Sequence, residues 1–327
     1  MKRLFQIQGK KGRDAVAEDR PPRIFVTGAT GYIGRAVVRE LAAAGYEVTG
    51  LTRWAEKTLD IKALGARAVV GDVRASDTFR RVAAAHDVLI HIALESSDAR
   101  IAADRAAIEA LLWAARQHER RKGEAPRCVI FTSGVFVLGN TGDAPAAEDA
   151  STAGAADVAA WRPAHERLVL DAATEDIATA VIRPGMVYGG RGGLIGAFFE
   201  SAERDGAAAF VGDGTNRWAP VYRGDLARLY RIIAERRARG IFHCAEAGGT
   251  PVEALARAAS EAAGRGGAVR QVPLEEARRT MGTSADALVL DQVVASPRAE
   301  ALGWRHEHAP FVESAAEVYD EWKRADG

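Results

Sequence analysis

Cysteine is scarce in this chain of 327 residues: Cys128 and Cys244 are its two, each inside an apolar, strand-like run. That excludes a disulfide scaffold and suggests buried thiols in a reducing, cytoplasmic compartment. Net charge is lacking too, with Lys plus Arg equal to Asp plus Glu at 44 each, so no overall field draws the chain to nucleic acid or an anionic membrane. No apolar stretch approaches the ~20 residues that span a bilayer. Cys and His nowhere cluster at metal-ligand spacing, and nothing repeats beyond strand–helix alternation. Residues 1–22 carry Lys2, Arg3, Lys10, Lys11 and Arg13 without the apolar region of a secretory signal, and end in Pro21-Pro22. They are expected to form a polar, disordered arm.

Apolar sequence is plentiful, 48% of the chain, enough for one large or two associated domains. Near its start the run Arg23-Ile24-Phe25-Val26 leads into Thr27-Gly28-Ala29-Thr30-Gly31-Tyr32-Ile33-Gly34, and residues 35–44 then show helical apolar spacing. This is strand, glycine turn, helix. Gly28, Gly31 and Gly34 leave the turn bare of side chains, so a pyrophosphate can reach backbone amides at the positive end of a helix dipole. The last glycine lets the helix lie close to the sheet.

Strands follow over 46–51, 66–70, 87–93 and 127–131, with an alanine-rich helix predicted over about 98–122. The second strand ends at Arg53, with Lys57 close behind, where an acid would bond the adenosine ribose and repel a 2′-phosphate. NADP(H) is therefore favoured over NAD(H). Beyond the fifth strand, Trp161-Arg162-Pro163-Ala164-His165 opens a helix, with Pro163 in its first turn and Trp161 and His165 on one face. Later strands are expected over 177–182 and 241–245, and Asp225 suits a helix N-cap. The alternation predicts an α/β fold, a doubly wound parallel sheet of Rossmann type.

Several motifs carry a family resemblance: TGATGYIG, Asp72-Val73, the His91-Ile92-Ala93 ending, Thr132-Ser133-Gly134 with Gly139, Arg183-Pro184-Gly185-Met186-Val187-Tyr188-Gly189, Asp225-Leu226-Ala227 and Leu302-Gly303-Trp304. The chain resembles, from about residue 23 to its C-terminus, the extended, epimerase/dehydratase-like branch of the short-chain dehydrogenase/reductase superfamily. The resemblance implies a dinucleotide-binding domain over 23–186 with a return segment over 219–247, and a smaller C-terminal substrate domain over 187–218 and 248–327. It implies cofactor contacts from Gly28, Thr30, Gly31, Tyr32, Ile33 and Gly34, from Asp72 and Val73 at the adenine, and from Ala93, Thr132, Pro184 and Met186 toward the nicotinamide. It also makes Arg217 a candidate for a substrate diphosphate and a homodimer an expectation; the loop over 139–158, long and rich in Ala, Gly, Asp and Glu, is a candidate lid on its own composition.

The departures fall at the catalytic residues. The family's serine or threonine position is occupied by Gly134, leaving Ser133 one place earlier, and Trp161 and His165 stand where Tyr-x-x-x-Lys is expected. An indole N–H donates a hydrogen bond but no proton near neutral pH. Trp161 is then a wall of the substrate pocket. His165 titrates near pH 7, so it holds the ribose, acts as the acid/base, or does both; Ser133, Tyr188, Tyr222, water and the substrate itself are the other proton sources. The expected activity is hydride transfer between a nicotinamide and a small carbonyl or alcohol, or an epimerase-type reaction on a sugar-nucleotide-like molecule. Two alternatives stand beside it: a non-catalytic NADP(H)-binding redox sensor, and a non-redox lyase or isomerase that keeps the nucleotide as a structural element.

Overall fold

Alternating apolar runs and amphipathic stretches produce one parallel sheet, seen in a computed structural model that describes residues 21–325 except 119 and 122. All but the last two residues of the expected N-terminal arm lie outside the described residues. The strands are β1 (Arg23–Thr27), β2 (Glu47–Thr52), β3 (Arg67–Val70), β4 (Val88–His91), β5 (Arg127–Thr132), β6 (Ile177–Pro184) and β7 (Gly240–Cys244). Their spatial order is β7-β6-β5-β4-β1-β2-β3, every neighbouring pair parallel. β6 is buried along its whole length, as a strand covered on both faces must be.

The longer helices are α1 (Tyr32–Ala43), α2 (Arg100–Arg116), α3 (Arg162–Leu170), α4 (Gly193–Asp205), α5 (Arg223–Arg236), α6 (Val252–Ala262) and α7 (Phe311–Arg324). On one face of the sheet Val37, Val38 and Leu41 of α1 pack with Leu226, Tyr230 and Ile233 of α5. On the other, Ile108 and Leu111 of α2 and Val169 of α3 pack on Phe25, Leu89 and Phe131. A separate apolar cluster joins Phe198, Phe199, Trp218, Leu255, Phe311 and Trp322. The chain enters it where a Cβ on Gly185 would lie 1.9 Å from the Ala219 carbonyl oxygen.

Strand order reverses between β1 and β4, which opens a crevice at their C-terminal ends. Register sets what faces it: Thr27 pairs with His91, His91 with Phe131, and Thr132 with Ile182. One row of strand ends therefore carries most of the polar candidates.

Three expectations need correction. The helix predicted over 98–122 is the shorter α2, capped at Gln117 as the charged run before Gly123 begins. The segment over 139–158 is not a free lid: the Ala146 amide donates to Val293, Ala295 donates back to Ala146, and the Gln292 side chain donates to the carbonyls of Val135 and Gly139. Asp225 lies inside the first turn of α5, not at its cap, because buried in that place it accepts the amides of Glu307 and His308 and pairs with Arg228.

Candidate active site

Gly28 has a φ of +71°, and a Cβ there would meet the Ala93 nitrogen at 2.6 Å, so the turn after β1 is pressed against the end of β4. Gly34 is tighter still, its Cβ position 1.9 Å from the Gly28 carbonyl oxygen. No side chain caps α1 and no acid occupies its first turn, so its terminal N–H groups remain for an anion. A cleft of about 390 Å³ runs over this turn, with Gly28, Thr30, Gly31, Tyr32, Ile33, Gly34, Arg53, Val73 and Ala93 all on its wall. Bare amides, a positive helix end and glycines that admit no Cβ fit the diphosphate of a dinucleotide.

At one end of the cleft Arg53 Nη1 is 2.7 Å from Glu95 Oε2, and the Trp54 ring, 57% exposed, lies beside the guanidinium. Glu95 and Trp54 line the cleft and were not expected from sequence. Asp72 does not line it, because Arg74 grips its carboxylate at 2.6 Å; that hydrogen bond, stronger than the opposing effect of burial, lowers its pKa.

Polar groups collect where β1, β4 and β5 end. Thr27 Oγ1 is 2.7 Å from His91 Nδ1, and His91 Nε2 is 3.2 Å from Asp104 Oδ1. The other Asp104 oxygen is 2.7 Å from His165 Nδ1. All four side chains are buried. Burial opposes a charge on Asp104, yet hydrogen bonds from His165 and His91 outweigh it and hold its carboxyl at about 2. Asp104 was also missed from sequence, although an acid in step with Ile108 and Leu111 on the apolar stripe of α2 is itself a signal.

Arg162 ties α3 to the end of β5 by donating to the Thr132 carbonyl at 2.9 Å. Trp161 meets the His165 ring edge-on at 4.9 Å between centroids, and its N–H goes to the Val158 carbonyl. Thr132's hydroxyl is taken, bonding the His91 carbonyl and the Tyr230 hydroxyl. Ser133 differs: its Oγ is buried and no described group bonds it.

Thr132, Ser133, Trp161 and His165 do not line the cleft itself, and other expected residues stand apart from it as well. Tyr188 donates to Glu246 Oε1 at 2.6 Å and packs edge-on against Phe311; burial, then the Glu246 charge, raises its pKa, which suits neither an acid nor a base near neutrality. Tyr222 stacks on His308 and donates to Glu321. Met186 joins the C-terminal apolar cluster and Pro184 ends β6. Arg217 is paired with Asp291 at 2.6 Å and with Asp143 at 3.0 Å. Among the described residues no group of His, Cys, Asp and Glu is placed to hold a metal, and no helix is long and apolar enough to cross a membrane.

Known proteins share this architecture. An uncharacterized protein of Saccharomyces cerevisiae is 27% identical over 91% of this chain and 99% of its own. A Stigmatella aurantiaca enzyme named 4-hydroxy-2-methyl-3-oxo-4-farnesyl-3,4-dihydroquinoline-1-oxide ketoreductase is 31% identical over 51% of each chain. Among solved structures, a human epimerase family protein with NADPH superposes with a TM-score of 0.71 at 20% identity, covering 91% of this chain and 99% of that one. Thermus thermophilus UDP-glucose 4-epimerase with NAD gives 0.73 at 23%, covering 93% and 100%. Residues 24–245 match the NAD dependent epimerase/dehydratase family, and the chain belongs to it.

Proposed function

We propose that the chain is a carbonyl reductase that uses a nicotinamide dinucleotide, NADPH in preference to NADH. The observation that carries this reading is the Ser133 hydroxyl, buried at the end of β5 without a partner among the described residues. Leaving such a group unpaired costs about 1–3 kcal/mol, which an arriving carbonyl oxygen offsets by accepting its hydrogen bond. The ketoreductase named above supports the same class of substrate.

The turn from Gly28 to Gly34 and the uncapped start of α1 hold the diphosphate, and Val73 and Trp54 flank the adenosine end. Arg53 is the cation for a 2′-phosphate. Bound there, a reduced nicotinamide supplies a hydride. Ser133 donates its O–H to the substrate oxygen and polarises the carbonyl, while Trp161 walls the pocket. His165 gives the proton from Nε2, which no described residue bonds, as the carbonyl becomes an alcohol.

A panel of aliphatic, cyclic and aromatic ketones, assayed by loss of NADPH absorbance, tests the proposal. Turnover of at least one class is expected, with Ser133→Ala lowering kcat about tenfold to a hundredfold. Dinucleotide binding without turnover of any carbonyl overturns it in favour of a non-catalytic redox sensor.

A further inference from the structure

The chain has neither the tyrosine nor the lysine expected of its family, but it does have a buried polar row that ends on His165. We propose that Asp104, itself fixed by His91 and Thr27, is the positioning residue that makes His165 the proton donor. This rests on the reductase reading and adds to it the residues that set the acid.

Counting hydrogens fixes the arrangement. Thr27 Oγ1 lies 3.3 Å from the Ile92 amide and 3.4 Å from the Ala93 amide, so it accepts from them and its own hydrogen goes to His91 Nδ1. The His91 proton therefore sits on Nε2 and is donated to Asp104. A carboxylate only accepts, so the second Asp104 oxygen receives the Nδ1–H of His165. One nitrogen in the row is left to take and release a proton, His165 Nε2.

Charge points the same way. Asp104 has a side chain 3% exposed, and the hydrogen bonds it accepts from the two imidazoles outweigh burial and keep it ionised. The groups that act on it are His91 from β4 and His165 and Arg162 from α3; Glu166 and Tyr230 act on Arg162, and Glu166 is itself held by Arg183 at 2.6 Å. Arg162 acts on Asp104 but spends its own hydrogen bond on the Thr132 carbonyl. A second proton on His165 completes an ion pair with Asp104 at 2.7 Å. In the reduction the His165 Nε2–H bond breaks, the proton goes to the oxygen of a carbonyl that takes its hydride from a reduced nicotinamide, and the electron pair stays on Nε2. Nδ1–H never leaves Asp104. Because Thr27 directly precedes Gly28, the row also fixes His165 relative to the turn that holds the diphosphate.

The test joins nitrogen-15 NMR of the histidines, assigned with His165→Gln, to the kinetics of Asp104→Asn. Neutral His165 is expected to carry its proton on Nδ1, and Asp104→Asn to lower kcat about a hundredfold with KM and NADPH affinity within about threefold. A neutral His165 protonated on Nε2, or a kcat in Asp104→Asn within about threefold of that of the unmodified chain, overturns the proposal. The NMR arm needs no substrate and does not depend on Asp104→Asn folding; it needs only a folded His165→Gln for the assignment. Absence of any carbonyl turnover in the unmodified chain sinks the reductase reading while the tautomer still decides the row, and turnover with the wrong tautomer sinks the row alone.

Discussion

Arg53 Nη1 and Glu95 Oε2 stand 2.7 Å apart, and the carboxylate is the buried member of the pair. The cation proposed for a 2′-phosphate is thus already held by an acid contributed from the loop after β4. Glu95 opposes a phosphate in two ways: it repels the anion and it occupies the guanidinium. Glu95→Gln is expected to tighten NADPH about tenfold and change NADH by less than threefold. Arg53→Ala is expected to do the reverse, weakening NADPH selectively. Fluorescence titration of both cofactors reads the two ratios; a parallel change for NADPH and NADH in either variant would remove the pair from cofactor selection.

Gly34 and Gly45 separate two reasons for glycine. A methyl on Gly34 would sit 1.9 Å from the Gly28 carbonyl oxygen, and that backbone cannot yield without opening the turn. Gly45, at a φ of +86°, has nothing within 4 Å. Gly34→Ala is expected to weaken dinucleotide binding by more than about a hundredfold and to cost about 3 kcal/mol or more of stability. Gly45→Ala should cost about 1 kcal/mol through backbone strain alone and leave cofactor affinity unchanged. Equal affinities in the two variants would contradict the close-packing argument.

The fold and the phosphate end of the site were legible because both are local patterns: glycines three apart between a strand and a helix, then strand–helix alternation. The fourfold spacing of Trp161 and His165 likewise placed their rings in contact. What sequence did not show depends on partners far along the chain. Asp104 meets His165, 61 positions on, and lies in an alanine-rich helix where an acid usually faces solvent. Arg217 carried a phosphate-binding resemblance, but its partner Asp291 is 74 residues away. The segment over 139–158 has a loop's composition, yet residues 291–298 fasten it down. Ser133 was legible as a hydroxyl in the right run; that it is buried and unpartnered is a fact of packing.

His243 offers a titration separate from the site. Its ring is buried on β7, with Nδ1 donating to the Ala295 carbonyl at 3.1 Å and Nε2 accepting from Arg183 at 3.4 Å. Burial first, and the Arg183 charge second, lower its pKa from 6.5 to about 4. The unfolded chain therefore takes up a proton below pH 6.5 that the folded chain refuses until about pH 4. The stabilisation is complete above 6.5 and lost as pH falls through that window, amounting to about 3 kcal/mol. Urea unfolding at several pH values between 7 and 4 should show His243→Gln losing less stability on acidification than the unmodified chain by about that amount. The carboxylates contribute equally to both proteins and cancel in the difference. Parallel pH dependences would mean that the folded protein protonates His243 as readily as the unfolded chain does, and that the Arg183 contact places no charge against it.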